Sequence, residues 1–374
     1  MTTLTTCRIA DPYGVLQATV SSFVEAGGAA LDYVLSVGRI GVLHMTLPAT
    51  FDDTLIALDS RIGVWRSISG NPPQLDGGAV FLARIFQYAN DYTKITAFHV
   101  NELYARRIID YQATLSESQK GATASDDLIK AFVRENMSSG ITGNRQGTQT
   151  QADLSALLSV QANLSQGASI AKAAAWRNLL DVIREIADSS TQNSTYLTSE
   201  IVSPTESTLE ARTFTTVRGV DHRASSSGPV IFSEARGNLS NAVLTYDYSQ
   251  EITVAIAGGQ GKGTDRLVRT SIDTTRIASS PFNRREVFVD MSNVSDETQL
   301  QSEADAAVWA GRPQITLTGE LQDTPAATRG IHYDLGDLVT IEHRGRSFDA
   351  RLDLIHEVLS PTEKRSATQI RSQL

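Results

Sequence analysis

One cysteine, Cys7, stands in 374 residues, so neither an internal disulfide nor a thiolate metal cage can staple this fold. Synthesis in a reducing cytoplasm fits that. No window approaches the roughly 18 to 20 uninterrupted apolar residues that a spanning helix needs. The start, Met1-Thr-Thr-Leu-Thr-Thr-Cys-Arg8, has neither the basic opening nor the apolar centre of an export signal. We therefore expect no membrane insertion of its own and no Sec export. Aromatics are only 6% of residues, with three Trp, which is little material for a long carbohydrate groove. Positive charge is short as well: 33 Lys and Arg face 42 Asp and Glu, a net of -9, and the arginines are scattered. Broad nucleic-acid affinity needs a concentrated basic face. An acidic protein suits DNA that must pass without sticking.

What is present is 41% hydrophobic and 20% charged residues, enough apolar material for sizeable cores. The length suggests two to four domains. From Arg8 to Asp110 short apolar runs alternate with turn residues. Runs at 40–47 (closed by Pro48), 61–66, 79–88 and 94–100 read as strands, with Ser69-Gly-Asn-Pro-Pro73 as a turn; together they suggest a small barrel or sandwich. Ser125-Asp-Asp-Leu128 reads as a capped helix start, with Leu128, Ile129, Phe132 and Val133 at helical spacing before Ser138-Ser-Gly140. A Gly, Thr, Gln and Asn-rich loop is expected over 140–151 and a longer apolar-striped helix over 169–188. Strands resume at 208–218, 230–232, 242–248 and 251–257. Gly258-Gly-Gln-Gly-Lys-Gly-Thr264 reads as a hairpin loop before a strand at 266–271, and a helix over 296–310 ends at Gly311. Strands at 314–321, 337–343 and 350–358 close the pattern.

The candidate chemistry is thin. Gly258–Thr264 resembles a phosphate loop, but Lys262 is followed by Gly263 and then a strand, where such a loop needs Ser or Thr and a helix. A hairpin tip is the simpler reading. His356-Glu357 opens like a metalloprotease helix, yet position 360 is Ser and the segment alternates as a strand. His44, His99, His222, His332 and His343 sit in separate segments without metal-ligand spacing. Ser225-Ser-Ser-Gly228 and Ser138-Ser-Gly140 are turns, not a nucleophile elbow. Asp52 with Asp53 and Asp126 with Asp127 are carboxylate pairs, but adjacent acids are usually caps, and glycoside hydrolysis needs two acids across a cleft. We expect no catalytic residue, no metal and no cofactor.

Eight stretches taken in order resemble the central hub proteins of the tail tip or baseplate of siphoviruses, the long-tailed bacteriophages. They are Asp11-Pro-Tyr-Gly-Val15, Leu58-Asp-Ser-Arg-Ile-Gly-Val-Trp-Arg66, Ala79-Val-Phe-Leu-Ala-Arg-Ile-Phe86, and Ala97-Phe-His-Val-Asn-Glu-Leu-Tyr-Ala-Arg-Arg-Ile-Ile109. Asp126-Asp-Leu-Ile-Lys-Ala-Phe-Val-Arg-Glu-Asn136, Arg212-Thr-Phe-Thr-Thr-Val-Arg-Gly-Val-Asp-His-Arg223, Ser280-Pro-Phe-Asn-Arg-Arg-Glu286 and Tyr333-Asp-Leu-Gly-Asp-Leu-Val-Thr-Ile341 follow. Each is ordinary alone. Their order and spacing cover nearly the whole chain.

The resemblance implies an α+β, mainly β chain: two small β-barrel domains of tail-tube or hub type, a helical insert and a second inserted α/β segment. The first barrel would be 1–110, the helical insert 111–205, and the second barrel 206–235 with 312–374 around an inserted hairpin and helix at 236–311. It further implies a homotrimer whose two barrels per subunit make a pseudo-sixfold ring, joining the sixfold tail tube to the tip and forming part of the DNA-ejection channel. Partners would be further copies of itself, distal tail or tail-tube proteins, the tape-measure protein, and receptor-binding or fibre proteins. DNA would be met only in transit. The location would be the virion tail tip, after assembly in the host cytoplasm. The chain stops at Leu374 soon after the second barrel, where larger relatives carry extra modules, so a structural, non-enzymatic role is expected. The competing classes are a tail-associated cell-wall hydrolase and a receptor-binding or carbohydrate-binding module.

Overall fold

The computed structural model describes residues 3–25, 29–68, 70–110, 120–138, 153–193, 195–205, 207–215, 219–292, 294–359 and 368–373. The loop expected over 140–151 lies outside the described residues. Two compact units form: Met1–Val243 with Thr318–Ser372, and a second built on Leu244–Leu317.

The first unit begins with seven strands, β1 (Thr3–Ala10), β2 (Leu16–Val20), β3 (Leu31–Ser36), β4 (Val42–Pro48), β5 (Arg61–Ile68), β6 (Gln74–Tyr88) and β7 (Tyr92–His99). They lie side by side in the order β3-β4-β7-β6-β5-β1-β2. Alternation places one face inside: in β7, Thr93, Ile95, Ala97 and His99 are buried between partly exposed neighbours. Ile9, Leu35, Leu43, Met45, Ile62, Phe81 and Ile95 make the core beneath, each contributing roughly 1.5–3 kcal/mol by burial. β6 starts five residues earlier than the run at 79–88, because Gly77 and Gly78 take φ of +56° and +61° and bend it without ending it. The register opposite Gly63 and Trp65 slips there. A bulge of this kind re-aims a side chain, here the buried Asp76.

The sheet extends past β3 through Leu354–Leu359, Thr368–Gln373, Gln314–Leu321 and Leu239–Asp247. Leu354–Leu359 pairs antiparallel with β3, so the C-terminal segment completes the N-terminal sheet. Among the described residues no sheet closes on itself; β2 and Leu239–Asp247 are the two ends of an open path. The expected closed barrels are thus open, several-sheeted β structure in the single chain. The strand expected over 350–358 is two. Arg346–Arg351 folds back on Leu338–His343 through Arg344 and Gly345, both at positive φ, and Leu352 and Asp353 turn the chain into Leu354–Leu359.

The middle of this unit is helical. Helix α1 (Ser125–Met137) and helix α2 (Leu179–Gln192) bury Leu128, Ile129, Phe132, Val133, Val182, Ile183 and Ile186 in one cluster. Two details differ from expectation. Ser125 is the first helical residue rather than the cap, and its hydroxyl donates to the Ala168 carbonyl at 2.7 Å. The helix expected over 169–188 begins only at Leu179, because Ser169–Lys172 is a strand paired with Lys120–Ala124. Trp176 then sits at φ +58°, which a helix cannot accommodate, and the Asn178 side chain accepts the Leu180 N–H to start α2.

In the second unit, Val254–Gly258 pairs antiparallel with Val268–Ile272 and parallel with Glu286–Asp290. Helix α3 (Glu297–Ala310) lays Leu300, Ala304 and Val308 on Ala255 and Ala257. Arg276 donates to the Val308 and Gly311 carbonyls at 2.8 and 3.1 Å, satisfying orphan acceptors at the helix end. Gly311 ends α3 for a different reason than a left-handed cap. Its φ is -83°, and a Cβ there would lie 2.4 Å from Ile252 Cβ. Gly311→Ala should therefore destabilise this unit by about 1–3 kcal/mol, the range for overpacking, read as a lower urea midpoint; an unchanged midpoint would mean that Ile252 moves aside freely. No helix among the described residues is long and apolar enough to cross a membrane.

Candidate functional site

The charged centre of the first unit is Arg329, with a side chain 0% exposed. Its Nη2 donates to Asp76 Oδ1 at 2.7 Å and its Nη1 to Glu357 Oε1 at 2.5 Å. Tyr33 OH donates to the other Asp76 oxygen at 2.5 Å, and Arg66 Nη1 stands 3.6 Å from Asp76. Asp334 lies 3.5 Å from Arg329 Nε at the rim. Tyr33 comes from β3, Arg66 from β5, Asp76 from the bend of β6, and Glu357 from the strand beside β3. Burial alone would strip Arg329 of its charge, but the carboxylates of Asp76 and Glu357 hold its pKa well above the guanidinium range. Burial likewise opposes ionised Asp76, yet Arg329, Arg66 and the Tyr33 hydroxyl keep it below the usual carboxylate range. Burial and then the two carboxylates drive the Tyr33 phenol well upward. Arg329, Asp76 and Glu357 thus spend their charges on one another. The arrangement is a lock and holds no group poised for proton transfer.

Two surface features adjoin the same strands. The first is an open cleft at one end of β5, lined by Arg66, Ile68, Asn71, Pro72, Leu75 and Ile331. Arg66 Nη1, on a side chain 6% exposed, has no hydrogen-bond partner among the described residues. The second is the turn between β1 and β2. Asp11 Oδ1 accepts the Tyr13 and Val15 amides, both at 2.9 Å, and Gly14 at φ +89° lies against Ser207. Buried Arg61 fixes this turn from beneath, donating to the Pro12 carbonyl at 3.1 Å and the Ser207 carbonyl at 2.8 Å. Tyr13, Val15 and Leu16 nevertheless remain 71%, 59% and 49% exposed.

The residues singled out in the sequence are scattered. Gly258–Thr264 joins two antiparallel strands, and the glycines lead only into a three-residue 3-10 turn, Gly263–Asp265, before the next strand. His356 Nε2 meets Asp32 Oδ1 at 2.5 Å, while neighbouring Glu357 points into the Arg329 lock. His44 bonds Thr96, His222 bonds the Gly228 carbonyl, and His343 lies 3.4 Å from Glu234. His99 is buried at 5.8 Å from the Phe81 ring, and His332 Nδ1 accepts the Thr328 amide. Asp52 caps a single turn through the Thr54 hydroxyl and amide, which lower its pKa. Asp126 and Asp127 bind backbone amides of 164–166. Cys7 is fully buried, and burial pushes its thiol pKa up. Among the described residues no three His, Cys, Asp or Glu are placed to hold a metal ion. The Arg329 lock was missed: its bonded partners Asp76 and Arg329 lie 253 residues apart, and no local spacing announces them.

No curated protein matches the chain in sequence. Solved structures of tail proteins and of a PdpA–VgrG complex share its fold. The 43 kDa tail protein of prophage MuSo2 from Shewanella oneidensis superposes with a TM-score of 0.57 at 12% identity, over 99% of this chain and 98% of that one. The tail protein from Neisseria meningitidis MC58 gives 0.58 at 12% identity, over 100% and 97%. A chain of the half-lidded Francisella PdpA–VgrG complex gives 0.52 at 10% identity, over 100% of this chain and 58% of that one. The family model described as Siphovirus ReqiPepy6 Gp37-like protein matches residues 83–371, most of the sequence, and the chain belongs to this family of siphovirus tail proteins.

Proposed function

We propose that the chain is the central hub of a siphovirus tail tip, three copies of which close a pseudo-sixfold ring between the sixfold tail tube and the tip. The observation that carries this reading is the family match over 83–371. Full-length likeness of fold to two prophage tail proteins supports it. In this reading the β regions 1–110 and 206–235 with 312–374 are the two hub modules, and 111–205 and 236–311 are inserts outside the ring. Two similar surfaces per subunit let a threefold object meet a sixfold one. The ring continues the DNA channel, and a net charge of -9 suits a lumen that must not retain phosphate. Distal tail or tube proteins, the tape-measure protein and receptor-binding or fibre proteins are the partners. A complexed neighbour, PdpA–VgrG, is in keeping with a hub that works in assemblies. The role is structural and non-enzymatic, exercised at the virion tail tip after assembly in the host cytoplasm.

Light scattering on the purified chain tests the ring. The expected solution mass is about 121 kDa, three times the 40.4 kDa chain. A monomer that turns over peptidoglycan, and loses that activity on changing one carboxylate, would overturn the proposal in favour of a cell-wall hydrolase.

A further inference from the structure

We propose that Tyr13 of one copy docks into the Arg66 cleft of the next copy, making the subunit contact a knob in a cleft; this rests on the ring reading above. The knob is built at some cost. Arg61, 3% exposed, uses its guanidinium on two backbone carbonyls, Pro12 and Ser207, to hold a surface turn. Among the described residues only the Asp11 charge is felt by this guanidinium and burial outweighs it, so holding the charge there is expensive. The turn is also pinned by Asp11 and by the close approach of Gly14 to Ser207. What this rigidity presents to solvent is a tyrosine and two aliphatic side chains. A pre-ordered aromatic loses little entropy on docking, and buried Tyr is a frequent binding anchor.

The cleft has the complementary chemistry. Ile68, Pro72, Leu75 and Ile331 supply apolar walls, and Arg66 Nη1 supplies one buried donor without a hydrogen-bond partner among the described residues. Two positive groups, Arg66 and Arg329, face three negative ones, Asp76, Glu357 and Asp334. An incoming carboxylate would meet net negative charge. A neutral acceptor at the end of an apolar plate would not, and a phenol is that group.

Position decides which copy is involved. In the β1–β5 ladder Ala10 faces Arg61 at the turn end, and Thr3 faces Ile68 at the cleft end. Seven residues at about 3.3 Å each separate them by roughly 23 Å. No copy can fill its own cleft. Because knob and cleft are different surfaces, repetition gives a head-to-tail series, which is a ring when the rotation between successive copies divides a full turn.

Two full-length single variants, Val15→Cys and Asn71→Cys, test the contact, since they leave Tyr13 and the apolar walls in place and Cys7 is 0% exposed and silent. Mixed and oxidised with copper phenanthroline, they should give a disulfide-linked pair containing one of each, absent from either variant alone. In parallel, Tyr13→Ala should raise the concentration for half-assembly by about 30-fold, as expected for a binding anchor, and Tyr13→Phe by about tenfold, through the lost hydrogen bond. A 121 kDa species without the mixed pair would overturn the docking and leave the ring standing. The mixed pair in a species of about 81 kDa, twice the chain mass, would support docking and overturn the ring. A 40.4 kDa species with no mixed pair even at about 100 μM would overturn both.

Discussion

Arg329→Met should lower the unfolding free energy of the first unit by about 3–5 kcal/mol, the range for removing one member of a buried ion pair. The cost comes from what stays behind. Asp76 and Glu357 are 7% and 3% exposed; both lose the guanidinium that holds them, and Asp76 is left with the Tyr33 hydroxyl and with Arg66 at 3.6 Å. Urea titration at neutral pH reads the loss. The pH dependence follows from Asp76. Its folded pKa is held low, and its unfolded value is about 3.9, so its contribution is complete above pH 4 and disappears as pH falls through the folded value. Arg329, raised still further from neutrality, contributes no slope in the acid range. Asp76→Asn should therefore flatten the acid limb of the stability curve below about pH 4. Replacing Arg329, Arg66, Asp76 and Glu357 together by Met, Met, Asn and Gln should recover much of the loss, because the desolvation of all four charges vanishes with them. A midpoint unmoved by Arg329→Met would show that the lock holds nothing.

The lock ties together segments that the chain order keeps apart. Tyr33, Arg66 and Asp76 belong to the opening seven strands, and Arg329 and Glu357 belong to the returning piece of the first unit, Thr318–Ser372. Holding them costs loop-closure entropy that grows only slowly with separation, and the pairing of Leu354–Leu359 with β3 shares that cost. A buried arginine is also directional: its fork donates to two carboxylates in one geometry. It thereby fixes how the bulge of β6 faces the C-terminal strand.

Elements with local rules were legible in the sequence. The hairpin around Gly258–Thr264 and the helix ending at Gly311 needed only turn residues and apolar spacing. Errors arose where tertiary pairing overruled local preference. Ala171, Ala173, Ala174 and Ala175 favour helix, yet Ser169–Lys172 pairs with Lys120–Ala124 and Trp176 breaks the path. The alternation across 350–358 continues in phase through Leu352 and Asp353, so period two could not mark the turn between two strands. The Arg329 lock and the Arg66 cleft had no signature at all. Each is made by residues from four or more segments, and Arg329 itself stands in an unremarkable Thr-Arg-Gly turn.

Asp126→Ala should destabilise the helical part of the first unit by about 3–5 kcal/mol, while Asp127→Ala should cost only about 0.5–1 kcal/mol. From sequence the two acids were equivalent, both favouring the positive end of a helix. Their surroundings separate them. Asp126 is 0% exposed and accepts from Lys130 Nζ at 2.9 Å, the Gln166 amide at 2.7 Å and the Leu164 amide at 3.1 Å. Lys130 is 1% exposed, and without Asp126 it keeps only the Ala162 carbonyl at 2.9 Å. Removing the carboxylate would strand a buried ammonium, with its desolvation penalty, and take the acceptor from two amides of the exposed 164–166 segment. Asp127 bonds Ser165 at the surface, where water replaces it. Asp126→Asn should fall between the two, since it keeps an acceptor and loses the charge. Changing both members, Asp126→Leu with Lys130→Met, should recover much of the single-variant loss. Urea midpoints and amide exchange of 128–137 read the series. Equal costs for the two alanine variants would mean that dipole and capping, rather than the buried pair, hold the start of α1.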